Sequence, residues 1–182
     1  MILARHRQFV DPETLQLINQ ELTNTPGWIY RTNFWRYYLV DGLEPYQEHD
    51  PSTWYHHQSA IHNLRQPWAD LFKQVYELAG PNFRLQRYAL TGQTQGQHQT
   101  LHYDTTLNLK GTFRSYLLYL NVKWDQDQGG STDFAFEDLI VHQEWPEPGK
   151  LVVFDSQALH CGNPPAIPNV LRTTMVLHGQ LV

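Results

Sequence analysis

The segment Val170-Leu171-Arg172-Thr173-Thr174-Met175-Val176-Leu177-His178 decides the fold, because its side chains alternate with a period of two. Such alternation predicts a β-strand with two different faces. One face carries Arg172, Thr174, Val176 and His178, and the other carries Leu171, Thr173, Met175 and Leu177. If the first face points inward, a bidentate carboxylate is the partner that best satisfies a buried guanidinium. An exposed strand arginine, or an internal ion pair with Asp or Glu, is the alternative.

Short runs of strand-forming residues surround this segment from residue 83 onward, and turns rich in Gly and Pro separate them. The other predicted strands are residues 83–91, 114–122, 138–142 and 151–154. Two helices are predicted before them, one from Asp11-Pro12-Glu13 to Pro26-Gly27 and one from about Pro67 to Gly80-Pro81. We therefore predict a mainly β protein, an antiparallel sandwich or barrel with flanking helices.

The length of 182 residues predicts a single domain, residues 1–182. Within it, residues 1–82 are expected to form a helical and aromatic-rich support, and residues 83–182 the β core. The aromatic segment 28–57 has no clear period. It is interpreted either as a lid over the mouth of the barrel or as core packing.

Composition narrows the classes of partner and the compartment. The formal net charge of −5 provides no positive field for a polyanion, so we expect no nucleic acid partner. The sequence contains no run of 18 consecutive apolar residues, so we expect no membrane span, and the start of the chain is not typical of a signal peptide. Cys161 is the single cysteine, which favours a reducing compartment, and we predict a soluble, cytoplasmic protein of open oligomeric state.

The candidate metal ligands are His102, Asp104 and His160. His102-Tyr103-Asp104 spaces two ligands at i and i+2, so that in an extended segment both reach one ion. His160 follows an apolar strand and precedes a Gly/Pro turn. Two imidazoles and one carboxylate are the facial set of non-haem Fe(II), and zinc fits these ligand types less selectively. A surface turn or a hydrogen-bonded core histidine is the alternative reading of the bare motif.

An ordered series of motifs from residue 87 to residue 179 resembles the Fe(II)/2-oxoglutarate-dependent dioxygenase superfamily, and within it the prolyl-hydroxylase-like branch. The motifs are Arg87-Tyr88, Gly92, His102-Tyr103-Asp104, Tyr119-Leu120-Asn121, Trp124 with Gly129-Gly130, Pro148-Gly149 through Phe154 to His160, and Leu171-Arg172 through His178-Gly179.

The resemblance implies a double-stranded β-helix core of the jelly-roll, cupin-like kind. It also implies that His102, Asp104 and His160 hold Fe(II), and that Arg172, helped by Thr174, binds the distal carboxylate of 2-oxoglutarate. Tyr88 and Tyr119 are weaker candidates for the same pocket and are equally interpreted as core aromatics. O2 is the further co-substrate implied, with ascorbate as an accessory reductant.

Three positions narrow the activity within the superfamily. Position 172 is Arg, where collagen-type prolyl 4-hydroxylases usually carry Lys, and position 178 is His, where the nucleic-acid demethylase branch carries a second Arg. Asp104 retains the carboxylate that the halogenases lack. We therefore predict hydroxylation of a C–H bond of a peptidyl side chain such as proline, or of a free amino acid. Hydroxylation of a non-amino-acid metabolite, or metal binding by a β-barrel protein without turnover, are the alternatives.

Overall fold

Two antiparallel β-sheets form the framework of the protein in the computed structural model. The structure describes residues 1–24, 28–31, 34–37, 64, 66–105, 107 and 109–182, and for residues 28–31 and 34–37 it describes the backbone alone. The elements are β1 (Ile2–His6), α1 (Pro12–Asn24), β2 (Trp28–Arg31), β3 (Phe34–Tyr37), α2 (Trp68–Ala79), β4 (Phe83–Gln93), β5 (Thr112–Tyr119), β6 (Thr132–Phe136), β7 (Leu139–Glu144), β8 (Leu151–Asp155), β9 (His160–Gly162) and β10 (Arg172–Leu181). The large sheet has the order β1-β8-β5-β10-β4-β3-β2, and the small sheet has the order β7-β6-β9. The prediction of a mainly β fold with flanking helices is confirmed.

The two helices cover one face of the large sheet. Helix α1 begins at Pro12, where the Asp11 carboxylate accepts a hydrogen bond from the backbone N–H of Thr14 at 2.9 Å. Its apolar stripe is buried together with that of α2, which comprises Trp68, Leu71, Phe72 and Val75. Each large apolar side chain buried in this way contributes about 1.5–3 kcal/mol. The helices therefore fix one side of the sheet and leave the other side for the site.

Strand β10 divides its side chains between the two sides of the sheet. Met175 and Leu177 are fully buried in the core under the helices. The opposite face, made of Arg172, Thr174, Val176 and His178, lines a cavity between the two sheets. The alternation read from residues 170–178 is thus confirmed, and its arginine faces inward.

A β-bulge in β4 changes which side chains of that strand reach the cavity. His178 pairs with Arg87, but the next residue of β10, Gly179, pairs with Leu85, so Gln86 is the extra residue. Before the bulge Phe83 and Leu85 are buried in the helix-side core, and after it Leu90 takes that side. The residues that line the cavity after the bulge are Arg87, Ala89 and Thr91.

The N-terminal half contributes strands to the large sheet as well as helices. Strand β1, which the sequence analysis did not assign, pairs with β8 at one edge. Strands β2 and β3 extend the opposite edge beyond β4. Strands from both sides of residue 82 thus belong to the same large sheet, although the sequence analysis assigned residues 1–82 to the support and residues 83–182 to the β core. Most of the aromatic segment 28–57 lies outside the described residues, so its two interpretations stay open.

None of the helices in the described ranges is long and apolar enough to cross a membrane.

Candidate metal and co-substrate site

Two histidines from distant parts of the chain face each other at the mouth of the cavity. His102 and His160 form an antiparallel bridge, with the N–H of His102 donating to the carbonyl of His160 at 2.8 Å and the reverse bond at 3.0 Å. Their ring centroids are 4.5 Å apart. Backbone pairing thus sets the separation of the two imidazoles.

The same local contact orients both rings. Nδ1 of His102 lies 2.9 Å from the carbonyl oxygen of Thr100, and Nδ1 of His160 lies 2.9 Å from that of Ala158. Because a carbonyl oxygen only accepts, each Nδ1 carries a proton, and in the neutral ring the lone pair for a metal is then on Nε2. The Nε2 atoms lie 3.8 Å and 3.5 Å from the carboxylate oxygens of Asp104. One ligand atom from each of the three residues lies within 4.8 Å of the other two.

Asp104 is held in place by a buried polar network. Ser115 Oγ donates to Asp104 Oδ2 at 2.7 Å, and His178 Nδ1 lies 3.2 Å from the same oxygen. The Asp104 N–H donates to the carbonyl of Ser156 at 2.9 Å. Burial raises the pKa of Asp104, but the neighbouring imidazoles and the Ser115 hydroxyl outweigh it, so the pKa lies well below its usual range. The carboxylate is therefore ionised, as a metal ligand must be.

Burial lowers the pKa of His160 and of His178, and the nearby Asp104 carboxylate offsets only part of that effect. Neutral imidazoles are the form that binds a metal. Two histidine nitrogens and one carboxylate make the set that suits Fe(II) with coordination positions left open. The residues present therefore fit an Fe(II) ion.

Arg172 lies in the same cavity, whose volume is about 470 Å³. The side chain donates from Nε to the Gly130 carbonyl at 2.7 Å, from Nη1 to Gln93 Oε1 at 2.8 Å and from Nη2 to Thr132 Oγ1 at 2.8 Å. Only 3% of the residue is exposed, and burial lowers its pKa. In the part of the chain that the structure describes, no carboxylate forms an ion pair with it. Three of its five N–H donors are thus bound by neutral groups, which leaves the charge uncompensated.

Gly130 makes this arrangement sterically feasible. Its φ of +79° is a conformation that favours glycine, and a Cβ there would lie 2.7 Å from Trp124 and 3.2 Å from Cδ of Arg172. The Gly129-Gly130 turn therefore lets the backbone carbonyl approach the guanidinium.

The other predicted pocket residues fall into different places. Thr174 lines the cavity, with its hydroxyl 2.8 Å from that of Thr91. Tyr119 is buried beneath Arg172, whose Cζ lies 5.5 Å from the ring centroid, and its hydroxyl donates to Thr132 Oγ1 at 2.9 Å. Burial raises the pKa of Tyr119 to about 12, so its hydroxyl keeps its proton. Tyr88 lies on the opposite face of β4 against Phe72 and does not line the cavity.

Sequence reasoning missed several residues of the site, namely Arg87, Gln93, Ser115 and Thr132, and it did not give His178 a contact with Asp104. His178 and Arg87 carried a signal, because both are charged or titratable residues in predicted strands. Thr132 lies in the strand motif that follows Gly129-Gly130, but nothing in the sequence pairs Thr132 or Gln93 with Arg172, because these residues meet only across the fold.

A profile of the 2OG-Fe(II) oxygenase superfamily matches residues 83–177, which is 95 of the 182 residues. The chain belongs to the 2OG-Fe(II) oxygenase superfamily. It is therefore a dioxygenase that uses Fe(II), 2-oxoglutarate and O2. No curated protein matches the chain.

Solved structures of similar fold support the double-stranded β-helix core of this oxygenase. A Burkholderia pseudomallei oxidoreductase of the 2OG-Fe(II) oxygenase family superimposes with a TM-score of 0.62 at 16% identity, covering 100% of this chain and 84% of that one. A Trichoplax adhaerens prolyl hydroxylase, solved with a hypoxia-inducible-factor peptide, gives 0.60 at 16% identity, covering 98% and 83%. A Pseudomonas putida prolyl-4-hydroxylase gives 0.57 at 14% identity, covering 98% and 92%.

Proposed function

We propose that this oxygenase hydroxylates a C–H bond, with Fe(II) held by His102, Asp104 and His160 and the distal carboxylate of 2-oxoglutarate held by Arg172. One observation supports the proposal above all others. A buried, uncompensated arginine faces the same cavity as a preorganised two-histidine, one-carboxylate ligand set. A dicarboxylate that chelates the metal at one end and meets the guanidinium at the other satisfies both features.

When bound, the metal and co-substrate supply the oxidation, in which O2 and 2-oxoglutarate yield succinate, CO2 and one oxygen atom inserted into the substrate. The protein residues hold and orient these groups. The backbone carbonyls of Thr100 and Ala158 fix the imidazoles, and Ser115 fixes the carboxylate. Thr174 lies on the same face as Arg172 and is proposed to donate to the same distal carboxylate.

Tyr119 is proposed to position the co-substrate pocket without lining the cavity. Its hydroxyl bonds Thr132, which in turn accepts from Arg172, and its ring lies under the guanidinium. Tyr88 is proposed to serve the core, because it packs against Phe72 on the helix side. Apolar residues of the cavity wall, Leu117, Phe154 and Val176, limit the access of water to the reacting centre.

The prime substrate is proposed to be an amino-acid-like group, either a peptidyl side chain such as proline or a free amino acid. The support is analogy: similarly folded structures include prolyl hydroxylases, at sequence identities that establish the fold alone. A non-amino-acid metabolite stays the competing substrate class. Superfamily membership, together with the paired metal and carboxylate sites, argues against a metal-binding protein without turnover. Buried Cys161 makes no disulfide in the described chain, which suits the cytoplasm as the proposed compartment.

Succinate formation tests the proposal directly. Purified protein with Fe(II), 2-oxoglutarate and ascorbate should release succinate, and a panel of amino acids and peptides should include one that gains an oxygen atom by mass spectrometry. The His102→Ala variant should release none, whereas the control His6→Ala, which changes a histidine outside the cavity, should match the wild type. Equal succinate release by the wild type and His102→Ala would overturn the metal assignment.

A further inference from the structure

A second arginine, Arg87, lines the cavity near the metal ligands. Arg87 lines the wall beside Asp104, on the strand position opposite His178. The bulge at Gln86 brings it there, because in a regular strand Arg87, two residues after Leu85, would share the core-facing side with it. The chain thus departs from regular strand geometry at the residue that places a guanidinium in the site.

The guanidinium of Arg87 is held in position but leaves most of its donors unused. Its Nη2 donates to the backbone carbonyl of Asp104 at 2.7 Å and lies 3.7 Å from Asp104 Oδ1. Within the described ranges this is the one hydrogen bond that its side chain makes, out of five N–H donors. Its side chain is 34% exposed, whereas that of Asp104 is 5% exposed. Arg87 is therefore fixed at one corner and open to a molecule that enters the cavity.

In the loaded site Arg87 would share its neighbouring carboxylate, that of Asp104, with the metal, so the charge of Arg87 would be only partly compensated. A dipositive metal is balanced by the Asp104 carboxylate and by the chelating carboxylate of 2-oxoglutarate, and Arg172 is balanced by the distal carboxylate. A positive charge beside the metal, in a partly dehydrated cavity, attracts an anion more strongly than it would at the surface.

We propose that Arg87 binds a carboxylate of the prime substrate, so that the substrate is a small carboxylic acid such as a free amino acid. This rests on the proposed function and narrows its two substrate classes, because an internal prolyl residue of a peptide offers no free carboxylate. The planar fork of an arginine matches a carboxylate. The apolar residues Ala89, Leu117, Phe154 and Val176, which line the same cavity, suit the body of such an acid.

Matched acid and amide pairs test this inference. Each proteinogenic amino acid and its primary amide are supplied to wild-type protein with Fe(II) and 2-oxoglutarate, and hydroxylated product and succinate are measured. At least one acid should be hydroxylated with a KM about tenfold or more below that of its amide, the factor expected for one charge-assisted hydrogen bond. If succinate forms but amides serve as well as acids, the inference is wrong while the proposed function stands. If no succinate forms under any condition, both are wrong.

The variant Arg87→Gln then separates substrate binding from support of Asp104. Its KM for the acid should rise about tenfold or more and approach that for the amide, and Arg87→Lys should restore part of the difference. The matched control Arg84→Gln removes an exposed arginine of the same strand, which bonds the backbone of Pro81 and Phe83, and should leave the acid-to-amide ratio at the wild-type value. Equal losses with acid and amide in both Arg87 variants would show a structural role and overturn the proposal. Melting curves check that both variants are folded.

Discussion

Replacement of Arg172 by lysine keeps the positive charge but removes the fork that is proposed to bind 2-oxoglutarate. In the wild type, three nitrogens of the guanidinium are fixed at 2.7–2.8 Å from Gly130, Gln93 and Thr132. Their fixed positions direct the remaining N–H groups. A lysine has a single nitrogen with three donors, so it cannot keep these contacts and also bind both oxygens of a carboxylate.

The expected magnitude follows from the loss of one charge-assisted hydrogen bond in a buried place. Such a bond is worth about 1.5–3 kcal/mol, and 1.4 kcal/mol is a factor of ten in affinity. Because Arg172 is 3% exposed, solvent provides little compensation. The Kd for 2-oxoglutarate should therefore rise about 10- to 150-fold in Arg172→Lys.

Anaerobic titration calorimetry of Fe(II)-loaded protein measures this Kd without turnover. The paired ligand is 2-oxopentanoate, which has the same chain length and metal-binding end but no distal carboxylate. Arg172→Lys should weaken binding of 2-oxoglutarate and leave binding of 2-oxopentanoate nearly unchanged. Arg84→Lys, an identical substitution at an exposed position, serves as the control.

An unchanged Kd for 2-oxoglutarate would refute the assignment and point to a structural arginine. An equal loss for both ligands would also refute it, because the effect would then come from a disturbed metal end of the cavity. Melting temperatures of the variants distinguish either result from unfolding.

Three further outcomes are expected. Asp104→Ala, like His102→Ala, should abolish metal-dependent 2-oxoglutarate turnover while circular dichroism stays that of the wild type, and full activity in both variants would contradict the ligand set. Addition of Fe(II) at about 100 times its Kd should stabilise the protein by about 2.7 kcal/mol, seen as a higher Tm that a chelator reverses, because the ion binds the folded state; an unchanged Tm would count against the site. Glu144→Gln should cost about 1–3 kcal/mol at pH 7, because Glu144 pairs with Lys150 at 2.6 Å and with Arg5 at 2.8 Å. Burial raises the pKa of Glu144, but the hydrogen bonds and charges of Lys150, Arg5 and His142 outweigh burial, so the pKa in the folded protein is lowered. The ionised Glu144 therefore stabilises the fold above the ordinary pKa of about 4.3, and this stabilisation disappears as the pH falls through the lower pKa of the folded state. The difference in Tm between wild type and variant should therefore narrow below about pH 4, and a constant difference from pH 7 to pH 3 would contradict it.

The sequence predicted the parts of this fold that depend on local periodicity. Both helices follow from apolar spacing and from Pro and Gly at their ends, and residues 170–178 alternate because one side of β10 packs under the helices while the other lines the cavity. The grouping of His102, Asp104 and His160 came from motif order together with this alternation. The structure brings the three together across an antiparallel bridge.

Contacts between distant residues could not be read from the sequence. Arg172 meets Thr132 and Gln93 across separations of 40 and 79 residues, and no local pattern pairs either residue with the arginine. The sequence also did not predict which side of the sheet each side chain of β4 occupies. Strict alternation over residues 83–91 would place Arg87 beside Leu85 on the core side, and the bulge residue Gln86 carries no Gly or Asn signal. Strand β1 is five residues long and half-buried, which leaves too short a pattern to recognise.

The bulge in β4 also determines how this strand can change during evolution. Leu85 and Leu90 serve stability, whereas Arg87, Ala89 and Thr91 contact whatever enters the cavity, so substitutions at the second set can alter substrate preference at little cost in folding. If Gln86 were instead accommodated in a regular strand, the two faces would be exchanged, sending Arg87 towards the helices and Leu90 towards the metal ligands. The phase of the residues after Leu85 is therefore under stronger constraint than the identity of the cavity residues. Relatives with different substrates are expected to differ there by replacement of side chains and to keep the same positions on the cavity side.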